Sequence, residues 1–148
     1  MDPTITHTFE YSIDCPVTKD SAWQFWTNVD NWVRVDPVVK AVEIDGLFAT
    51  GTNGVTYIKG ASPVEWKLIE VKNGESATIE ILAPGAAIRF HWVFRESSTG
   101  NTVITQYVSL AGERAADYLE GIKQLQQNLP AGMNRLAEAI VKATSRAT

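Results

Sequence analysis

One change of rhythm constrains this chain more than any other feature. Up to Gly112, apolar residues recur at every second position in short runs; beyond it they recur at steps of three or four. A strand shows one face at every second residue and a helix shows one at about every 3.6, so the chain reads as a sheet followed by a helix. The first run is the clearest. Ile5, His7, Phe9, Tyr11 and Ile13 alternate with Thr6, Thr8, Glu10 and Ser12, the pattern of a half-buried strand that Pro16 ends. Thr18, Asp20 and Ser21 then offer capping side chains to a helical stripe of Ala22, Phe25, Trp26 and Val29. A second short turn or helix holds Trp32 and stops at Asp36-Pro37.

Six further strand-like runs follow: VVKAVEID, GVTYIKG, VEWKLIEVKNG, SATIEILAPG, AIRFHWVFRE and TVITQYVSLAG. Asn73-Gly74 marks a hairpin turn, and the stretch SSTGN marks another. The sum is about seven strands in a mainly antiparallel meander. After Gly112, Ile122, Leu125, Leu129, Met133, Leu136 and Ile140 trace a helix of roughly thirty residues. Pro130 removes a backbone donor in its middle and is expected to kink it or split it in two. A single curved antiparallel sheet has one apolar face to cover, and this helix is the only element large enough to cover it. The expected class is α+β.

Length and composition bound the function. The 148 residues fit one domain, spanning 1–148, with an ordinary globular balance of 45% hydrophobic and 20% charged residues. The net charge of -4 and the scattered Lys and Arg speak against nucleic acid as a partner, because neutralising phosphates takes clustered cations. Cys15 is alone, which excludes an internal disulfide, and with two histidines no metal site is expected. A reduced, cytoplasmic setting is the expectation: the cysteine is alone, the N-terminal MDPTITHTFEYS lacks the basic and apolar regions of a signal peptide, and no apolar run is long enough to span a membrane.

Several segments together resemble the START-like, or SRPBCC, superfamily with its helix-grip fold, and within it the polyketide cyclase/dehydrase-like group. They are Trp23, DNW at 30–32, DPVVKAVEIDGLFATGTNG at 36–54, EWKLIEV at 65–71, NTVITQYVSLAG at 101–112 and LPAGMNRLAEAI at 129–140. The resemblance implies a curved seven-stranded sheet wrapped around the C-terminal helix, with two short helices after the first strand. It also implies a deep apolar cavity between sheet and helix. Members of the superfamily bind lipids, hormones and polyketides, and some catalyse cyclisation or dehydration. The fold does not choose among these.

Candidate ligand-binding residues follow from parity. Ile88, Phe90, Trp92 and Phe94 share one face of their strand, and Trp66 shares the inward face of another with Val64 and Leu68. Such rings can fill a concave sheet or offer stacking surfaces to a ligand. Trp23, Trp26 and Trp32 either lock the short helices to the sheet or, for Trp26 and Trp32, rim the cavity mouth; both can hold at once. Leu129 and Met133 flank the Pro130 break and are expected as floor or lid. Tyr11 and Gln106 are polar residues among inward apolar neighbours, as are His7 and, unless a bulge intervenes, Glu70. Each needs a partner from protein, water or ligand. His91 falls on the outward face with Arg89 and Arg95, away from any cavity chemistry. The GTNG at 51–54 reads as a turn and not a phosphate cradle.

The expected function is binding of a small hydrophobic molecule of lipid, isoprenoid or aromatic polyketide type, without a cofactor. The alternative is a polyketide cyclase/dehydrase-type enzyme that uses inward polar side chains as acid and base. A third reading makes the aromatics core filler and puts the function on the surface. Catalytic residues and oligomeric state, a homodimer included, are left open by the sequence.

Overall fold

The computed structural model describes residues 5–146; the first four residues of the N-terminal stretch lie outside it. The strands are β1 (Ile5–Cys15), β2 (Val39–Ile44), β3 (Asn53–Ile58), β4 (Val64–Lys72), β5 (Ser76–Ala83), β6 (Ala86–Glu96) and β7 (Thr102–Ala111). They form one antiparallel sheet in the order β1-β7-β6-β5-β4-β3-β2. The meander runs from β2 to β7, and β1 adds to it beside β7. Between β1 and β2 come α1 (Lys19–Thr27), a 3-10 turn at Val29–Asn31 and α2 (Trp32–Val35). The start of α1 uses the expected chemistry: the Ser21 backbone N–H donates to the Thr18 hydroxyl at 3.2 Å.

The switch of period falls at Gly112. Its φ of +128° favours glycine, and a Cβ there would press on the Gly85 carbonyl and the Ala86 Cα of the β5–β6 turn. A 3-10 turn at Ala115–Tyr118 then leads into α3 (Leu119–Arg146), 28 residues long. This helix packs along β1 and against α1 and α2. Its buried side, Ile122, Leu129, Met133, Leu136, Ala137 and Ile140, is the stripe read from the sequence with Ala137 added and Leu125 only half-buried. Pro130 does not split it: α3 runs through as one element. A proline inside a helix costs about 3 kcal/mol through a lost hydrogen bond and a clash of its ring with the preceding turn, and burying several large apolar side chains at about 1.5–3 kcal/mol each outweighs that.

The sheet's inner face is a grid of cross-strand rows. Ile13, Ile104 and Phe94 form one; Tyr11, Gln106, Trp92 and Ala77 the next; Phe9, Val108, Phe90, Ile79 and Leu68 the third. The register slips between Leu68 and Glu70, so Val71 and not Glu70 pairs with inward Ala77, and Glu70 is exposed. The inward place considered for Glu70 is thereby corrected.

Candidate functional site

The aromatic residues divide the interior into a closed part and a more accessible one. In the closed part, ring contacts run in a chain from Trp92 to Trp26 at 4.9 Å between centroids, on to Trp32 at 6.0 Å, and on to Trp66 at 5.4 Å. Phe94 meets both Trp23 and Trp26 at 5.3 Å, and Phe48 sets its edge against the same two tryptophans. Three indole N–H groups are anchored. Trp23 donates to the Asn73 side chain at 3.0 Å, Trp32 to the Trp26 carbonyl at 2.7 Å and Trp66 to the Thr56 hydroxyl at 3.0 Å. Each aromatic pair adds about 0.5–1.5 kcal/mol beyond its buried area, so this network holds α1 and α2 to the sheet. Trp26, Trp66 and Phe94 are buried within it, whereas Trp32 and Trp92 are half-buried at its margin.

Phe48 and Asn73 were not read from the sequence as parts of this network. Phe48 sits in a loop with no periodicity to betray it. Asn73 was legible as a turn residue, but its second task, accepting from Trp23 fifty positions away, leaves no local trace.

Toward β1 the inner face is less sealed. Phe9, Tyr11, Phe90 and Trp92 all point inward yet are half-buried. Leu129 and Met133 of α3 are buried in the same cluster. The nine apolar and aromatic candidates, Tyr11, Trp26, Trp32, Trp66, Phe90, Trp92, Phe94, Leu129 and Met133, thus belong to or pack on one core cluster. The tenth, Gln106, is polar and sits in the row between Tyr11 and Trp92. It is 6% exposed, and among the described residues its Oε1 is the one buried side-chain N or O atom without a hydrogen-bond partner. Buried polar atoms are paired in the large majority of cases, so this one stands out. His7, in contrast, is satisfied: its Nε2 lies 2.8 Å from Gln126 Oε1 and ties β1 to α3.

Ionisable chemistry is sparse on the inner face. His91 lies outward as expected, 2.7 Å from the Thr78 hydroxyl, with its ring tilted toward Tyr107 at 5.9 Å between centroids. Burial, with help from Asp14, pushes the Cys15 thiol up to about 11. The Tyr57 hydroxyl is raised by its 3.1 Å hydrogen bond to exposed Glu43. Among the described residues no three His, Cys, Asp or Glu side chains cluster as metal ligands, and no helix is long and apolar enough to cross a membrane. Four clefts of about 490 to 770 Å³ open on the protein; none of the ten candidates lines them, and the deep cavity expected between sheet and helix is not among them.

A seven-stranded sheet gripping one long helix, with two short helices after the first strand, defines a helix-grip protein. Residues 6–141 match the family described as polyketide cyclase/dehydrase and lipid transport, and the chain belongs to that family. Solved structures show the same fold at low identity. Truncated norcoclaurine synthase from Thalictrum flavum superposes with a TM-score of 0.73 at 13% identity, covering 97% of each chain. Ara h 8.0201 gives 0.70 at 15% identity, over 92% of this chain and 98% of its own. The di-domain ARO/CYC StfQ from the steffimycin biosynthetic pathway gives 0.73 at 15% identity, over 95% of this chain and 52% of its own. No curated protein sequence matches the chain.

Proposed function

We propose that this protein binds a small hydrophobic molecule, of lipid, isoprenoid or aromatic polyketide type, between the sheet and α3. The ligand would lie on the half-buried rings of Tyr11, Phe90 and Trp92, with Leu129 and Met133 beneath the helix and Trp32 at the edge. Trp26, Trp66 and Phe94 would form the rigid wall behind. The observation that carries the reading is Gln106 Oε1, a buried acceptor that no donor among the described residues reaches. Leaving such an atom unpaired costs about 1–3 kcal/mol, a penalty that a ligand hydroxyl removes. Family membership supports the same class of ligand.

Binding is favoured over cyclase or dehydrase chemistry, which needs an acid and a base converging on one point. Glu70 is exposed, His91 lies outward and His7 is engaged by Gln126, so Tyr11 has no titratable companion in its row. A reduced, cytoplasmic setting fits the buried, solitary Cys15.

Native mass spectrometry on protein purified from its own host tests the reading. We expect a second species, heavier by one small organic molecule, which collapses to the bare chain on denaturation. A bare chain alone, together with no measurable uptake of a hydroxylated fused-ring probe such as 2-naphthol, would count against it.

A further inference from the structure

A cleft lies apart from the inner face. The α1–α2 arm and the C-terminal half of α3 enclose a cleft of about 740 Å³. Its apolar residues, Phe25, Val35 and Ala139, are buried or half-buried and make a floor. Its charged residues are exposed and make a rim: Arg34 from α2, and Arg135, Glu138 and Lys142 from successive turns of α3. Three cations against one carboxylate leave that rim positive on a chain whose net charge is -4.

These cations are not spent on one another's neighbours. Among the described residues the ion pairs are Arg89–Glu80 and Arg114–Asp117, both outside the cleft. Arg135 is held in place all the same. Its Nε donates to the Val35 carbonyl at 3.0 Å, across 100 positions of sequence. That bond fixes the guanidinium plane, and among the described residues no hydrogen bond or ion pair engages the terminal nitrogens, the fork that receives two oxygens of a carboxylate or phosphate. The volume is within the range of small-molecule sites, and an apolar floor below a cationic rim suits a molecule with the same two parts.

We propose that this cleft is a second binding site, which takes a small amphiphile: an oxyanion head on Arg34, Arg135 and Lys142, and an apolar body over Phe25, Val35 and Ala139. Carboxylate and phosphate heads share the recognising chemistry. The site is separate from the inner face and stands or falls independently of the ligand proposed there.

Titration of isotope-labelled protein followed by backbone amide resonances tests the site, with decanoate and decyl phosphate as probes below their micelle concentrations. We expect saturable shifts centred on Ala139 and Ala143, with the stronger head identifying the source. The double variant Arg34→Glu, Lys142→Glu should weaken binding by about tenfold or more, with the fold kept because both side chains are exposed. High salt should weaken it as well. Decyltrimethylammonium, which has the same tail and the opposite charge, should leave these amides unmoved. Shifts confined to the inner face, undiminished affinity in the double variant, or equal binding of the cationic probe would each overturn the proposal.

Discussion

Cys15 and Gln106 sit on neighbouring strands and pose opposite problems. The thiol is fully buried and comfortable as long as it stays neutral, its Sγ lying 3.9 Å from the Ala137 carbonyl. Its ordinary value of 9.0 rises to about 11 in the fold, so the unfolded chain ionises first as pH climbs. The stabilisation is therefore complete below pH 9.0 and is lost as pH rises toward about 11. Chemical denaturation across that window should show wild type losing about 2 kcal/mol more than Cys15→Ala. Parallel curves for the two proteins would mean that the thiol is not desolvated. The sequence showed that Cys15 was alone; its burial was not legible, because Cys15 ends β1 at the inward parity where no further alternation follows. Gln106 was legible as an interruption in an apolar row. That its oxygen finds no donor depends on β1 and β6 flanking it with Tyr11 and Trp92, which only the sheet order decides.

At the scale of elements, β3 and β4 show why a glycine can matter inside a strand. Gly54 pairs with Trp66 across the ladder, and the indole occupies the space where a Cβ would stand. A Cβ there would collide with the ring, although the backbone conformation of Gly54 is an ordinary one. Gly54→Ala must therefore push Trp66 off Trp32 and away from Thr56, which we expect to cost about 2–4 kcal/mol in urea denaturation. Adding Trp66→Leu to that variant should recover part of the loss, since the smaller side chain clears the new methyl. A neutral Gly54→Ala would show that the ring moves freely. The sequence reading took GTNG for a turn, and Gly51 does occupy the loop, but Gly54 already belongs to β3. Pro130 bears on the reading in the other direction: of the two outcomes expected, a kink or a split, the split does not occur. Its local rule argues for a break, whereas α3 is held by the tertiary burial of Leu129, Met133 and Leu136 around it. At Glu70 alternation failed for a third reason: a bulge shifts parity by one and leaves no signature in the residue types.

For the whole molecule, the change of period at Gly112 was enough to foresee a sheet and a covering helix, because periodicity is a property of the residues themselves. The pairing of β1 with β7 was not read from the sequence, since long-range order has no local signal. The cleft between α2 and α3 was not foreseen at all; its walls come from positions about a hundred residues apart, and isolated Arg and Lys look like any solvated face. The central claim is that the interior carries an acceptor waiting for a ligand hydroxyl. Calorimetric binding of 2-naphthol and of naphthalene to wild type and to Gln106→Leu tests it most directly. We expect the variant to bind 2-naphthol about tenfold more weakly and naphthalene no more weakly, while melting at the same temperature or higher, because an unpaired buried amide has been replaced by an apolar side chain. Unchanged 2-naphthol affinity in Gln106→Leu, or a lowered melting temperature with both affinities intact, would make Gln106 a structural residue and contradict the claim.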